Sequence, residues 1–178
     1  KKFLNHLFFS SNENNDFTKN NLVFLIKNNL LKYLRSVYLR LFFKFDEMNI
    51  EKKSIVIFYH KEPDSAVDVI SQNFTNQLEF IKKILKITPS NFNLYIKLHP
   101  HAIGLTPIKE ILSLKKLNIK VLNPQFDSTS IIMKSSFVFS LCGTASLEAS
   151  ILKKKSGVFT NIFFSEVLEI PHMNNNID

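Results

Sequence analysis

The sequence predicts an α/β protein with a doubly wound parallel sheet, preceded by a helical segment. From Ser54 onward, short runs of β-branched or aromatic residues alternate with helical stretches, which is typical of parallel sheets. Before that point, residues 17–45 contain no Gly or Pro, and apolar residues recur there in steps of three and four. The two patterns predict a division near residue 50, with a helical connection over 1–50 and a sheet domain over 51–178.

The helix predicted over Phe17–Phe45 has two distinct faces, and a break near Asn28-Asn29 is compatible with its pattern. Its apolar stripe comprises Leu22, Ile26, Leu30, Leu34, Tyr38, Leu41 and Phe45. Its other face carries Lys27, Lys32, Arg35, Arg40 and Lys44. Such a helix packs on a neighbouring domain or lies on an anionic membrane surface, and we favour the first.

The sheet domain is predicted to contain alternating strands and helices. The predicted strands are Ser54–Tyr59, Asn93–Leu98, Ile119–Leu122, Phe137–Ser140 and Gly157–Phe159. The predicted helices are Phe74–Leu85, Pro107–Leu114, Ser128–Lys134 and Ala145–Leu152. Because the strands are predicted to be parallel, the loops 59–68, 99–106, 123–127 and 141–144 are expected at one edge of the sheet, where such folds bind ligands.

Composition sets the outer limits. The 178 residues, 45% hydrophobic and 21% charged, are enough for one ordered domain with a sizeable core. We interpret the net charge of +8 as a solvated basic surface, and binding of an anionic partner is the alternative interpretation. The single cysteine, Cys142, indicates a reducing compartment, hence the cytoplasm, and no apolar run reaches the ~18 residues of a membrane span. The chain starts at Lys1 without Met, so we expect a piece of a longer protein.

Two motifs at the predicted edge carry ligand-binding chemistry. His99 precedes Pro100, which holds it extended just past a strand end, and an imidazole can donate to a phosphate or ribose oxygen. In Gly143-Thr-Ala-Ser-Leu-Glu148, Gly143 is expected to allow a tight turn and Thr144 to cap a helix whose free N–H groups face a phosphate. Glu148, one turn later on the same face, could accept bonds from two ribose hydroxyls. A capped helix with an exposed Glu remains the alternative.

Several other chemistries lack their motifs. The sequence has no G-x-G-x-x-G fingerprint and no P-loop, and it contains no G-x-S-x-G elbow, H-E-x-x-H pair or D-x-D metal site. We therefore expect neither a resident cofactor nor a metal ion.

The motifs occur in an order that resembles the capsular polysaccharide biosynthesis family of glycosyltransferases. The resemblance rests on Phe58-Tyr-His-Lys-Glu-Pro63, a helix containing Gln77, Leu94-Tyr-Ile-Lys-Leu-His-Pro100 and Cys142-Gly-Thr-Ala-Ser-Leu-Glu-Ala149, and it covers about residues 51–165. This family is similar to bacterial Kdo- and sialyltransferases of the GT-B fold. The resemblance implies the C-terminal of two Rossmann-like lobes, with residues 1–50 connecting it to an N-terminal lobe outside this sequence. The loop 123–127 and the segment after Phe159 depart from the family pattern.

The resemblance also implies a function. The lobe would bind a sugar nucleotide as substrate, often a CMP-sugar such as CMP-Kdo or CMP-sialic acid, and the catalytic base would come from the other lobe. The implied donor contacts are His99 and Pro100 with the nucleotide, Ser140, Gly143 and Thr144 with its phosphate, Glu148 with the ribose, and His60 and Glu62 with the donor sugar or phosphate.

The expected partners are the sugar-nucleotide donor and a glycan or glycolipid acceptor, with peripheral association at the inner face of the membrane and no nucleic acid. One alternative is an enzyme resembling a UDP-sugar 2-epimerase, which shares the fold and a similar Gly-Ser/Thr…Glu helix. Another is a non-catalytic basic module that binds membrane or nucleic acid through residues 22–45, for which a single basic surface stripe would be the sign.

Overall fold

The computed structural model describes residues 22–50, 53–60, 77–141, 143–160 and 162–167. The helices of this part are α1 (Leu22–Leu41), α2 (Gln77–Ile87), a 3-10 helix (Pro100–Ala102), α3 (Ile108–Lys116), α4 (Ser128–Lys134), α5 (Thr144–Ile151) and α6 (Phe163–Val167). The strands are β1 (Ser54–Tyr59), β2 (Asn93–Leu98), β3 (Lys120–Leu122), β4 (Phe137–Ser140) and β5 (Lys155–Val158). Among the described helices, none combines the length and the apolar character needed to cross a membrane.

The strands form one sheet in the order β3-β2-β1-β4-β5, and every neighbouring pair is parallel. The central strand β1 pairs on both sides, so that Ile57 lies beside Ile96 of β2 and Phe139 of β4. The predicted parallel α/β sheet is therefore confirmed.

Helices cover both faces of the sheet. On one face Ile55, Ile57 and Tyr59 of β1 join a core cluster with residues of α1, α2 and α3. On the other face Val56 and Phe58 pack with residues of α4 and α5. Because alternate residues of a strand point to opposite faces, a strand covered on both sides is mostly apolar, as residues 55–58 of β1 are. The sheet is doubly wound, as predicted.

Most element positions match the prediction, and β5 is the clearest difference. It begins at Lys155, two residues before the predicted Gly157, because it runs in register with β4 and places Lys155 opposite Phe137. The Lys155 ammonium lies 5.2 Å from the centre of the Phe137 ring. A lysine next to a turn gives no strand signal in the sequence, whereas this cross-strand contact can hold it there.

Helix α1 differs from the prediction in the face that it buries. It is continuous through Asn28-Asn29. Its buried ridge is Leu31, Arg35 and Leu39, whereas the predicted contact residues Ile26, Leu30 and Leu41 are exposed.

The loop after the 3-10 helix explains this choice of face. Gly104 has a φ of +83°, and a Cβ there would lie 2.2 Å from the Lys32 carbonyl oxygen. Arg35, predicted on the exposed basic face, is buried, and its Nη1 donates to the Leu105 carbonyl at 3.3 Å. The close approach of the two backbones and this hydrogen bond orient α1 so that the face carrying Arg35 packs against the sheet domain.

Helix α1 also ends earlier than predicted, at Leu41. A few residues on, the Asp46 backbone N–H donates to the Val121 carbonyl at 2.8 Å, and the Asp46 carboxylate accepts from the Val121 N–H at 2.6 Å. The carboxylate also pairs with Lys115. Pairing of this segment with the edge of β3 requires extended backbone, so the helical pattern cannot continue to Phe45.

Candidate functional site

The candidate site lies where the sheet changes its winding direction, between β1 and β4. The chain moves from β1 to β2 and β3 on one side and then crosses to β4 and β5 on the other. The helices that follow these two strands, α2 and α5, pack on opposite faces of the sheet. At such a point open α/β sheets bind ligands in a crevice outside the carboxyl ends of the strands. His60 follows β1 directly, and Ser140 and Gly143 stand at the end of β4.

His60 is held in this crevice through its backbone. Its N–H donates to Oε1 of Gln77 at 2.9 Å, and Nε2 of Gln77 donates to the His60 carbonyl at 3.4 Å. Gln77 is the first residue of α2 and is almost fully buried. One amide side chain thus satisfies both backbone groups of His60 and fixes where the strand ends.

The His60 ring lies directly against Gly143. A Cβ on Gly143 would be 2.8 Å from Cε1 and 3.0 Å from Nε2 of His60. The backbone of Gly143 has φ −88° and ψ 159°, which any residue can adopt. The expectation that Gly143 serves a tight turn is therefore wrong: the position favours glycine because the His60 imidazole takes the space of a Cβ and would have to shift.

Ser140 points into the turn between β4 and α5. Its hydroxyl donates to the Gly143 carbonyl at 2.8 Å and lies 2.8 Å from Oγ of Ser146. Ser146 in turn donates to the Gly157 carbonyl of β5 at 2.7 Å, and both serine side chains are fully buried. These bonds shape the turn below the crevice. A direct contact between Ser140 and a phosphate stays a prediction.

Thr144 and Glu148 lie on one exposed face of α5, as predicted. The Thr144 hydroxyl donates to Oε1 of Glu148 at 3.3 Å. Thr144 is, however, the first residue of the helix and not its cap, because Gly143 occupies the N-cap position and offers no side-chain bond. The first-turn N–H groups lack intrahelical partners in any helix, so they remain suited to an anion.

His99 and Pro100 follow β2, one strand further from β4. His99 is exposed, and its Nδ1 accepts a hydrogen bond from the His101 backbone N–H at 3.1 Å. A nitrogen that accepts cannot carry the proton, so the neutral ring holds its proton on Nε2. Two strand spacings, about 10 Å, separate the ends of β2 and β4, and a ligand that contacts both His99 and Thr144 must cross the end of β1.

Lys97 is a charged residue near this edge to which the sequence analysis assigned no role. It is 3% exposed, and its ammonium donates to the carbonyls of Pro124 at 2.7 Å and Leu98 at 3.4 Å. Burial lowers its pKa, and the negative charge of Asp127 acts in the opposite direction. The signal in the sequence was a single lysine inside an apolar strand. Lys97 ties the end of β2 to the loop after β3.

The remaining predicted site residue, Glu62, lies outside the described residues, as does Cys142. The structure thus brings together His60, Ser140 and Gly143, adds Thr144 and Glu148 on the adjoining helix, and places His99 and Pro100 at the same edge. Across the part of the chain that the structure describes, no three His, Cys, Asp or Glu side chains cluster as metal ligands.

These features define a Rossmann-like α/β domain with polar residues at its switch point. No protein-family model matches the sequence, and no curated protein matches it. Among solved structures, KpsC of Thermosulfurimonas dismutans, a beta Kdo 2,7 transferase, matches with a TM-score of 0.56 at 22% identity over 88% of this chain and 48% of its own. A KpsC beta Kdo 2,4 transferase of the same organism matches with a TM-score of 0.48 at 13% identity over 89% of this chain and 49% of its own.

The first match establishes the fold: this chain has the α/β architecture of a lobe found in a Kdo transferase. The Rossmann-like fold expected from the family resemblance is thereby confirmed. The chain spans about half the length of the two structures. The division of the chain near residue 50 stays a prediction.

Proposed function

We propose that this chain is the donor-binding lobe of a glycosyltransferase that makes surface or capsular polysaccharide, and that its donor is a CMP-activated sugar such as CMP-Kdo or CMP-sialic acid. The observation that carries the proposal is the contact of His60 with Gly143, which joins the loops after β1 and β4 at the switch point, beside the start of α5. A Kdo transferase with the same fold supports the choice of donor class.

Each side chain of the site has a role in this proposal. The Nε2–H of His99 donates to the nucleotide, and the first-turn N–H groups of α5 with the Thr144 hydroxyl receive the phosphate. Glu148, now bonded to Thr144, accepts the two ribose hydroxyls. His60 and Glu62 contact the donor sugar or phosphate. The helix N-terminus and His99 offset the charge of the leaving phosphate, so the proposal requires no metal or cofactor.

The rest of the proposal concerns partners and location. The acceptor is a glycan or glycolipid, the catalytic base comes from another lobe of a longer protein, and the enzyme works in the cytoplasm at the inner face of the membrane. We propose no nucleic-acid partner: the exposed lysines of the described residues lie on several elements, among them α1, α2, α3, α4 and the turn before β5, which does not favour a single basic stripe.

Calorimetric titration of the chain with CMP, UMP and AMP tests the donor class. We expect CMP to bind most tightly. His99→Ala and Glu148→Ala should each weaken CMP binding roughly tenfold or more, since a hydrogen bond to a charged group contributes about 1.5–3 kcal/mol. Thr144→Ala should cost less, because the backbone N–H groups that share the phosphate remain.

A matched variant controls for general effects. Glu79→Ala removes an exposed carboxylate outside the predicted site, one that is bonded to Lys82 at 2.5 Å. It should bind CMP as the unmodified chain does. Binding of UMP in preference to CMP would favour the enzyme resembling a UDP-sugar 2-epimerase, and binding of none of the three at millimolar concentration would contradict the proposal for this chain.

A further inference from the structure

Helix α1 presents an apolar stripe to solvent on the side opposite its buried ridge. Ile26, Leu30, Tyr33 and Leu41 follow one another on this outer face at steps that return to the same side of a helix. Leu30 is the least exposed of them at 47% and Leu41 the most at 70%. Phe42, just past the end of the helix, is exposed as well. Soluble surfaces seldom expose so many large apolar side chains in one row.

The charges on α1 are all of one sign. Lys27, Lys32 and Arg40 are exposed, and the segment Leu22–Leu41 contains no Asp or Glu. An exposed apolar stripe accompanied by lysine and arginine is the pattern of a helix that lies in the interface of an anionic bilayer. The long basic side chains can keep their stems against apolar surface while their charged ends reach the headgroups.

A groove of about 710 Å³ lies at the end of the helix. Its aromatic lining includes Tyr38, Phe42 and Phe43. Three lysines, Lys44, Lys115 and Lys120, line it together with the carboxylates of Asp46 and Glu47. Apolar walls with a surplus of one positive charge suit the junction between an acyl region and a phosphate headgroup, so the groove extends the same surface chemistry.

We propose that the outer face of α1, with the groove at its end, docks on the surface of an anionic lipid bilayer. The apolar stripe enters the interface, and Lys27, Lys32 and Arg40 contact headgroup phosphates. A second copy of this chain is a poorer occupant, because two such faces would oppose like charges with no acidic residue in the helix to pair with them. The docking does not require nucleotide binding, so it can be tested apart from the proposed glycosyltransferase function.

Cosedimentation of the 178-residue chain with vesicles tests the proposal. The chain should partition at least roughly tenfold more strongly onto phosphatidylglycerol-containing vesicles than onto pure phosphatidylcholine vesicles, and added salt should weaken the binding. The apolar test variant is Ile26→Ser, Leu30→Ser, Tyr33→Ser, and its matched control replaces exposed apolar residues of other helices: Met133→Ser, Ile151→Ser, Phe163→Ser. Only the first should lose binding.

A second pair of variants, which have the same net charge as each other, tests the charges of α1. The test variant is Lys27→Gln, Lys32→Gln, Arg40→Gln, and the control removes three exposed lysines of α2 and α3: Lys83→Gln, Lys86→Gln, Lys116→Gln. The first should lower the affinity for anionic vesicles roughly tenfold or more relative to the second. Circular dichroism of all variants should show unchanged helix content.

Three results would overturn the proposal. The first is equal partition onto anionic and zwitterionic vesicles, or onto neither. The second is an equal loss of binding in the test and control variants, which would reduce the effect to overall charge or hydrophobicity. The third is concentration-dependent self-association of the chain that the Ile26→Ser, Leu30→Ser, Tyr33→Ser variant abolishes, which would make this face an interface between copies.

Discussion

Replacing Gly143 by alanine should push the His60 ring out of the crevice. The added Cβ would meet Cε1 at 2.8 Å and Nε2 at 3.0 Å, while Cβ of Ser140 at 3.6 Å is in ordinary contact. Overpacking of this kind costs about 1–3 kcal/mol. Alanine can adopt the backbone at φ −88° and ψ 159° without strain. Because alanine restricts the unfolded chain more than glycine does, the substitution regains about 0.4–1 kcal/mol of that cost. We expect a net destabilisation of about 1–2 kcal/mol.

A double-mutant cycle with His60→Ala isolates this contact. Once the imidazole is absent, Gly143→Ala should become neutral or stabilise the chain by about 0.4–1 kcal/mol, because only the unfolded-state effect remains. Urea unfolding of the four proteins gives the free energies, and the His60 imidazole signals in NMR spectra report whether the ring moves. Equal destabilisation by Gly143→Ala in both backgrounds would refute the reasoning, since the added methyl group would then be meeting something other than His60.

Three further predictions concern the groups around the site. The pKa of Lys97 is lowered in the folded state, so the unfolded state binds more protons just below pH 10.5. The unmodified chain should therefore gain stability relative to Lys97→Met as the pH rises through that region. Urea unfolding at several pH values measures this difference. The Asp127 carboxylate accepts a hydrogen bond from the Ser130 N–H at 2.7 Å, and this bond lowers the pKa of Asp127. The melting temperature of Asp127→Ala should therefore be lower than that of the unmodified chain at neutral pH. The difference between the two melting temperatures should vanish as acid protonates the carboxylate. Ser146→Ala removes a buried hydroxyl that donates to the Gly157 carbonyl and should cost about 1–3 kcal/mol in urea unfolding. A cost near zero would mean that this bond does not stabilise the fold.

The sequence alone determined the architecture and the edge that carries the site. β1, β2 and β4 have the bounds that the hydrophobic runs predict, because a strand buried on both faces is a local pattern with sharp polar ends. Parallel strands then bring their carboxyl ends to one edge, so His99, Thr144 and Glu148 could be assigned to it without coordinates.

Only the tertiary structure decided how side chains are used within that frame. The buried side of α1 depends on Leu105, 70 residues from Arg35 in sequence. The preference for glycine at position 143 depends on the imidazole of His60, the residue after β1. The buried ammonium of Lys97 has its hydrogen-bond partner in the Pro124 carbonyl, 27 residues away in sequence. The spacing of apolar residues indicates which residues are apolar, but it carries no information about which distant backbone or ring packs beside them. Those long-range contacts are known only from the tertiary structure.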